Sequence, residues 1–129
     1  MPQREIEVIL TRQLASYLTL PIFIVDPNGT LIFYNQPAEK ILGHRFDETG
    51  EMAAHEWATA YQAEGGAPPT PPAELPLMVA LREHRPTHGS LLILGRDGRH
   101  HAIEVTAFPL DSQSGQFLGA VAIFWEVDR

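Results

Sequence analysis

The stretch from Leu20 to Gly43, LPIFIVDPNGTLIFYNQPAEKILG, constrains the fold of this chain more than any other. Its two apolar runs, Ile22 to Val25 and Leu31 to Tyr34, are rich in Ile, Val, Phe and Tyr, which suit a pleated strand. Between them stands Asp26-Pro27-Asn28-Gly29. Asn and Gly both tolerate positive φ, so Asn-Gly between two such runs predicts a tight hairpin. Pro27 fixes φ ahead of the turn, and Asp26 reads as a turn-former. Past Tyr34 the period changes. Pro37, Ala38, Ile41 and Leu42 recur at helical spacing, with Asn35 or Gln36 as the cap and Gly43 as the stop.

Ahead of the hairpin, residues 3–19 are amphipathic. Ile6, Ile9, Leu10, Gln13, Leu14, Tyr17 and Leu18 recur at three- and four-residue spacing, with charged residues largely between them. A helix of about four turns is too short to hold alone in water. Its stripe needs a partner surface: its own domain, a second copy of the chain, or both. Residues 44–49 read as loop. Glu51 to Tyr61 reads as a helix with Met52, Trp57 and Tyr61 able to share a face, ended by Gly65-Gly66. The proline-rich run from Ala67 to Pro72 reads as a rigid surface connector rather than a docking peptide. Residues 73–84 form another helix, with Leu77, Met78 and Leu81, and Leu75 beside them, as its buried stripe.

Three strands follow: Leu91 to Leu94, His101 to Leu110 and Phe117 to Val127. Sequential hairpins make antiparallel neighbours, so the fold class is α+β. Ile22 to Val25, Leu91 to Leu94 and Ala120 to Trp125 are apolar without alternation, whereas a strand with one wet face alternates. Both faces of the sheet are therefore expected to be covered. The helices of residues 36–84 lie on one side, and the N-terminal helix is the spare apolar element for the other.

Composition removes several function classes. At 129 residues, 44% apolar and 19% charged, the chain suits one globular domain. A net charge of −7 argues against a nucleic-acid surface. The basic cluster Arg96, Arg99, His100 and His101 reads as a solvated turn. Cysteine is absent, which excludes disulfides, thiolate metal sites and cysteine photochemistry. The N-terminus is not a signal peptide, and the longest apolar stretch, Ala120 to Trp125, is too short to span a bilayer. The expected location is cytoplasmic, with no membrane partner. No histidine pair has convincing metal spacing, no serine sits in a His-acid arrangement, and no Gly-rich phosphate loop occurs. No catalytic or metal residue is assigned.

The chain resembles a PAS domain, the small sensory fold with a five-stranded antiparallel sheet and a helical cradle on one face. The resembling pieces are PIFIVDPNGTLIFYNQPAEKILG, LPLMVALREHRP, GRDGRHHAIEVTAFPL and GAVAIFWEVD, in that order and spacing, over about residues 20–128. The resemblance implies the strand order second, first, fifth, fourth, third. It divides the chain into an N-terminal amphipathic cap and dimerisation helix, 1–19, and a PAS domain, 20–129. It implies a non-enzymatic signal-sensing module, with an output domain (kinase, phosphatase, cyclase or transcription regulator) in a longer chain. Glu126-Val127-Asp128 stands where family members carry the triplet leading into that output. A free-standing module is the other reading.

Strand alternation then picks the cradle residues. Glu104 and Thr106 are polar and should face away, so Ile103, Val105 and Ala107 face in, with Leu91 and Ile93 on the preceding strand. On the last strand Ala122 and Phe124 face in, with Ala120; Trp125 faces out with Val121 and Ile123. Leu42, Trp57, Tyr61, Met78 and Leu81 complete the expected ligand-binding cradle. The expected homodimer interface is Ile6, Ile9, Leu10, Leu14 and Tyr17, with Trp125 on the outer sheet face. So apolar a lining suits a small apolar ligand or a cradle filled by its own side chains. The flavin-binding light sensors of the family carry a reactive Cys on a helix and amides on these strands. This chain has no Cys, and has Ile93, Ile103 and Phe124 where the amides are expected. Haem would need an axial histidine; His84 is the weak candidate, set against an exposed place at a helix end. No cofactor is expected. The alternatives kept are a haem gas or redox sensor using His84, and a purely structural protein–protein interaction domain.

Overall fold

The computed structural model describes residues 6–54, 56–57, 74–95 and 98–127, less the side chains of residues 6, 7, 12, 15 and 16. Helix α1 (Ile6–Tyr17) precedes strands β1 (Ile22–Val25) and β2 (Leu31–Tyr34). Helices α2 (Gln36–Leu42), α3 (Phe46–Thr49) and α4 (Pro76–Glu83) follow, then β3 (Thr87–Leu94), β4 (His100–Asp111) and β5 (Phe117–Glu126). The five strands form one antiparallel sheet in the order β2-β1-β5-β4-β3. The class is α+β, with the implied strand order.

The three hairpins close in the same way. Asp26 N–H donates to Thr30 O, Gly95 N–H to Arg99 O and Ser112 N–H to Gln116 O, and the glycine at the fourth position donates back to the first residue's carbonyl. Those glycines, Gly29, Gly98 and Gly115, have φ of 85°, 83° and 86°. In the first hairpin Asn28 is not at positive φ; among the described residues His84 is the only non-glycine there. The Asn-Gly expectation is corrected accordingly. Pro27 and Asn28 form the middle of the turn, as suits a proline at its second position, and Gly29 alone takes the left-handed step. The Asp26 carboxylate accepts from Asn28 N–H at 2.9 Å and Thr30 N–H at 3.0 Å, so it is a turn-former.

Asn35 fastens the start of this unit. It is 2% exposed. Its Oδ1 accepts from Ile22 N–H at 2.9 Å and Ala38 N–H at 3.2 Å, and its Nδ2 donates to Leu20 O at 2.8 Å. One side chain thus caps α2 and ties it to the first residue of β1. Gly43 ends α2 in the left-handed region, as expected.

Two apolar clusters cover the two faces of the sheet. The larger joins the cradle face of β1, β4 and β5 to α2 and α4. The smaller, on the other face, holds Val8, Ile22, Ile24, Ile32, Leu118 and Val121. The helix that reaches the second face is α1, but through Val8, not through the expected stripe. At 100° per residue Val8 lies nearly opposite that stripe. Leu14 and Tyr17 are 59% and 85% exposed, and Ile9 and Leu10 are exposed too.

Three other expectations are corrected. Residues 44–49 are not all loop: Phe46–Thr49 is a helical turn, too short for any apolar period to announce it. It is held by Arg45 N–H donating to Glu48 Oε1 and Phe46 N–H to Glu39 Oε2. Met52 is not helical; it bridges Leu31 through paired backbone bonds, and helical residues begin at Ala54. Leu91 to Leu94 is not covered on both faces. β3 is an edge strand reaching back to Thr87, its exposure alternates, and Leu92 is 44% exposed.

Tyr34 supplies a pH prediction. Its ring stacks on Phe23 and meets Phe46 edge-on, and its hydroxyl donates to His44 O at 3.1 Å. Burial pushes its pKa up; the Thr49 hydroxyl opposes this, and the Glu39 and Glu48 charges add to it. Above the unfolded pKa, near 10, the unfolded chain has lost a proton that the folded one keeps, so stability falls as pH rises. Denaturant midpoints should therefore drop above about pH 10, and Tyr34→Phe should flatten that slope. An equal slope in both proteins would mean that another group is responsible.

Candidate functional site

The cradle face of the sheet is set by register. Phe23 pairs with Ala122, Val105 with Phe124, and Leu91 with Ile103, so these side chains point to one side. Helix α2 contributes Leu42, and the start of α4 contributes Leu75, Pro76 and Leu77. Thr87 Oγ1 anchors that helix end by donating to Pro76 O at 2.7 Å.

These elements border a half-open cavity of about 90 Å³. One water needs roughly 10–15 Å³ on that measure, so the space would take a small molecule. Every described residue on its wall is apolar. The one polar side-chain atom among them, Trp57 Nε1, donates to Gly29 O at 2.7 Å. That bond ties the cradle wall to the first hairpin. Phe23 meets Trp57 edge-on at 5.3 Å.

Of the residues expected in the cradle, Leu42, Trp57, Ile93, Ile103, Val105, Ala122 and Phe124 lie on this wall. Ala107 and Leu81 are buried in the same cluster but off the wall, and Met78 packs against the cluster from outside. Met78 and Leu81 sit near Gly29, beneath the first hairpin. Tyr61 lies outside the described residues. Phe23 was missed, although its pairing with inward-facing Ala122 follows from the strand order. Leu75, Pro76 and Leu77 were missed on the wall because the helix offers it its first turn rather than its middle.

His101 was also missed. It was read with the solvated turn, yet it shares the parity of Ile103 and so faces the cradle. It is 9% exposed. Nδ1 lies 3.0 Å from Glu126 Oε2, off the line of a hydrogen bond, and neither ring nitrogen has a hydrogen-bond partner. An unsatisfied buried polar atom costs about 1–3 kcal/mol.

On the opposite face, His88 bridges Thr106 Oγ1 and Glu104 Oε1, each at 2.9 Å, and Ser90 Oγ donates to Glu104 Oε2. The Ser90 bond, then His88, holds the Glu104 carboxyl below the usual range. This outward network lies beside Trp125, whose ring is 6.1 Å from that of His88. His84 closes α4 in the left-handed region, and its ring stacks on Phe117 at 4.2 Å, off the cavity wall. No group of three or more His, Asp or Glu placed to hold a metal ion occurs among the described residues. No helix among them is long and apolar enough to cross a membrane.

A family model described as PAS domain matches residues 19–127. No curated protein matches the chain. Similar solved structures include the PAS domain of BvgS from Bordetella pertussis, at 12% identity and TM-score 0.64, covering 95% of this chain and 87% of that one. The PAS domain of an HTR-like protein from Haloarcula marismortui is 17% identical at TM-score 0.64, covering 93% and 91%. The LOV protein of Rhodobacter sphaeroides is 12% identical at TM-score 0.75, covering 97% and 70%. At these identities the likeness is one of fold.

Proposed function

From the premise that the chain belongs to the PAS domain family, the sensory domains of signalling proteins, we propose that it is a non-enzymatic sensing module whose cradle takes a small apolar ligand. The observation that carries this is the unfilled apolar space of about 90 Å³ between the sheet and α2 and α4. Filling it would stabilise the packed state by about 25 cal/mol for each Å² of apolar surface covered. A ligand acts as a signal by favouring one packing of β5 and its neighbours over another. The output would lie in a kinase, phosphatase, cyclase or transcription regulator within a longer chain.

The wall speaks against the cofactors of other members. With no cysteine, a flavin–cysteine adduct cannot form. The polar edge of a flavin would meet Ile93, Ile103 and Phe124, which offer it no hydrogen bond. His84 stands off the wall, stacked on Phe117, which weakens the haem reading.

Dimerisation through α1 is the second part of the reading. Its stripe of Ile9, Leu10, Leu14 and Tyr17 is exposed while Val8 meets the sheet, so a second copy could cover it, and Trp125 on the outer sheet face is part-exposed as well. Two measurements test the parts separately. Native mass spectrometry of the purified protein should show an added small-molecule mass that solvent extraction removes; a clean apo mass that no apolar probe shifts would overturn the ligand reading. Sedimentation should show a dimer that becomes a monomer when residues 1–19 are removed. An unchanged oligomer would place the interface elsewhere.

A further inference from the structure

The two edges of the sheet are built differently. At one, β2 is four residues long, its pairing with β1 shifts register between Ile24 and Val25, and Leu31 is bridged by Met52. At the other, β3 runs for eight residues in unbroken register with β4. Its sequence, THGSLLIL, holds no proline, lysine, arginine or carboxylate. Natural edge strands are commonly guarded by such residues, by bulges or by brevity. The polar side chains of β3 are also drawn away from the edge. Thr87 donates to Pro76 O, while His88 and Ser90 bond back to Thr106 and Glu104 on β4. Among the described residues no strand lies beyond β3, so alternate backbone N–H and C=O groups along it have no ladder partner there.

Beside this edge lies an open groove of about 270 Å³. Its walls are Pro76 and Val79 of α4 and the strand from Thr87 to Leu91, with Glu74 and Arg85 also on it. We propose that the groove takes an extended peptide of a protein partner, which adds to β3 as a further antiparallel strand. This does not depend on what the cradle holds. Successive side chains of a strand face opposite ways, so the walls dictate the pattern of the peptide. Side chains on its cradle face meet Pro76, Val79 and Leu91 and are apolar. Those between them point to the side of His88 and Ser90 and are polar. Glu74 precedes α4 and Arg85 follows it, so opposite charges stand at the two ends of that helix. Arg85 is also next to the start of β3, where an antiparallel peptide brings its C-terminal end; an acidic residue there complements it, and a basic one at the other end complements Glu74. The exposed pair of Arg85 with Glu83 uses Nε and leaves further guanidinium donors.

The test titrates the peptide KVTVTVE into the full chain by NMR, against KTVVVTE, which has the same composition without the alternation. The first should slow amide exchange at alternate residues of β3 and bind about tenfold tighter than the second. Arg85→Glu, at an exposed site, should weaken KVTVTVE by about fivefold, and KVTVTVK should restore the binding. A change in the fold alone would not exchange one peptide's preference for the other's. If the alternating and non-alternating peptides bind alike, if the β3 amides keep their exchange rates, or if Arg85→Glu leaves the charge preference unchanged, strand addition by a partner peptide is overturned. It is overturned too if the β3 amides are already protected in the free protein and lose that protection on dilution, because the edge then pairs with a second copy of the chain.

Discussion

Asn35→Ala should lower the unfolding free energy by about 3–4 kcal/mol, seen as a lower denaturant midpoint at an unchanged slope. The substitution removes an acceptor from two backbone donors, Ile22 N–H and Ala38 N–H, and a donor from Leu20 O. The site is 2% exposed, so water cannot replace the lost partners. An orphaned buried group costs about 1–3 kcal/mol, and loss of a helix cap about 1 kcal/mol. Asn35→Asp separates the two roles. The carboxylate keeps both acceptor bonds and suits a helix N-terminus, but loses the donor to Leu20 O and turns an oxygen toward that carbonyl. It should fall between wild type and Ala. If Ala costs less than about 1 kcal/mol, the three bonds are not what fastens β1 to α2. The effect should extend to the cavity, since α2 carries Leu42 on its wall.

How far this architecture was legible depends on what each signal encodes. The hairpins were legible because each ends in glycine at a fixed position, a local backbone demand. Their detail was less so: Asn28-Gly29 has the composition of one turn and adopts another, because Pro27 occupies the second position. The inward face of β4 was readable from Glu104 and Thr106, which fix the parity for Ile103, Val105 and Ala107. The same parity extends to His101, but its place beside a basic turn masked it. Helical periodicity identified the apolar stripe of α1, yet an amphipathic pattern says which face is greasy and not what covers it. Within one chain the sheet takes Val8 and leaves Leu14 and Tyr17 in solvent. The run Leu91 to Leu94 misled for a related reason, since strand order, not local composition, makes β3 an edge.

Gly119→Ala should be the most damaging small substitution in the sheet, costing upwards of about 4 kcal/mol, enough to deplete soluble protein. Two effects combine there. The backbone has φ of +129°, a region that residues with a Cβ occupy only with strain. A Cβ would also lie 2.0 Å from Val25 O and 3.0 Å from Asp26 Cα. Both are backbone atoms at the end of β1, so no rotamer change relieves the contact. The neighbouring residue Ala120 pairs with Val25, and β4 shifts register at Leu110 and Asp111 opposite this stretch. The chain therefore brings β5 against the β1 hairpin at the one position without a side chain. Gly98→Ala takes positive-φ strain without the clash: its φ is +83° and, among the described residues beyond its chain neighbours, nothing lies within 4 Å of the new Cβ. That control should cost about 1 kcal/mol, and the difference measures the close approach together with the greater strain at +129°. Equal losses in the two variants would mean that β5 can move away from β1. In that case Ala122 and Phe124 would move with it, and the cavity wall would be softer than the packing of β5 between β1 and β4 implies.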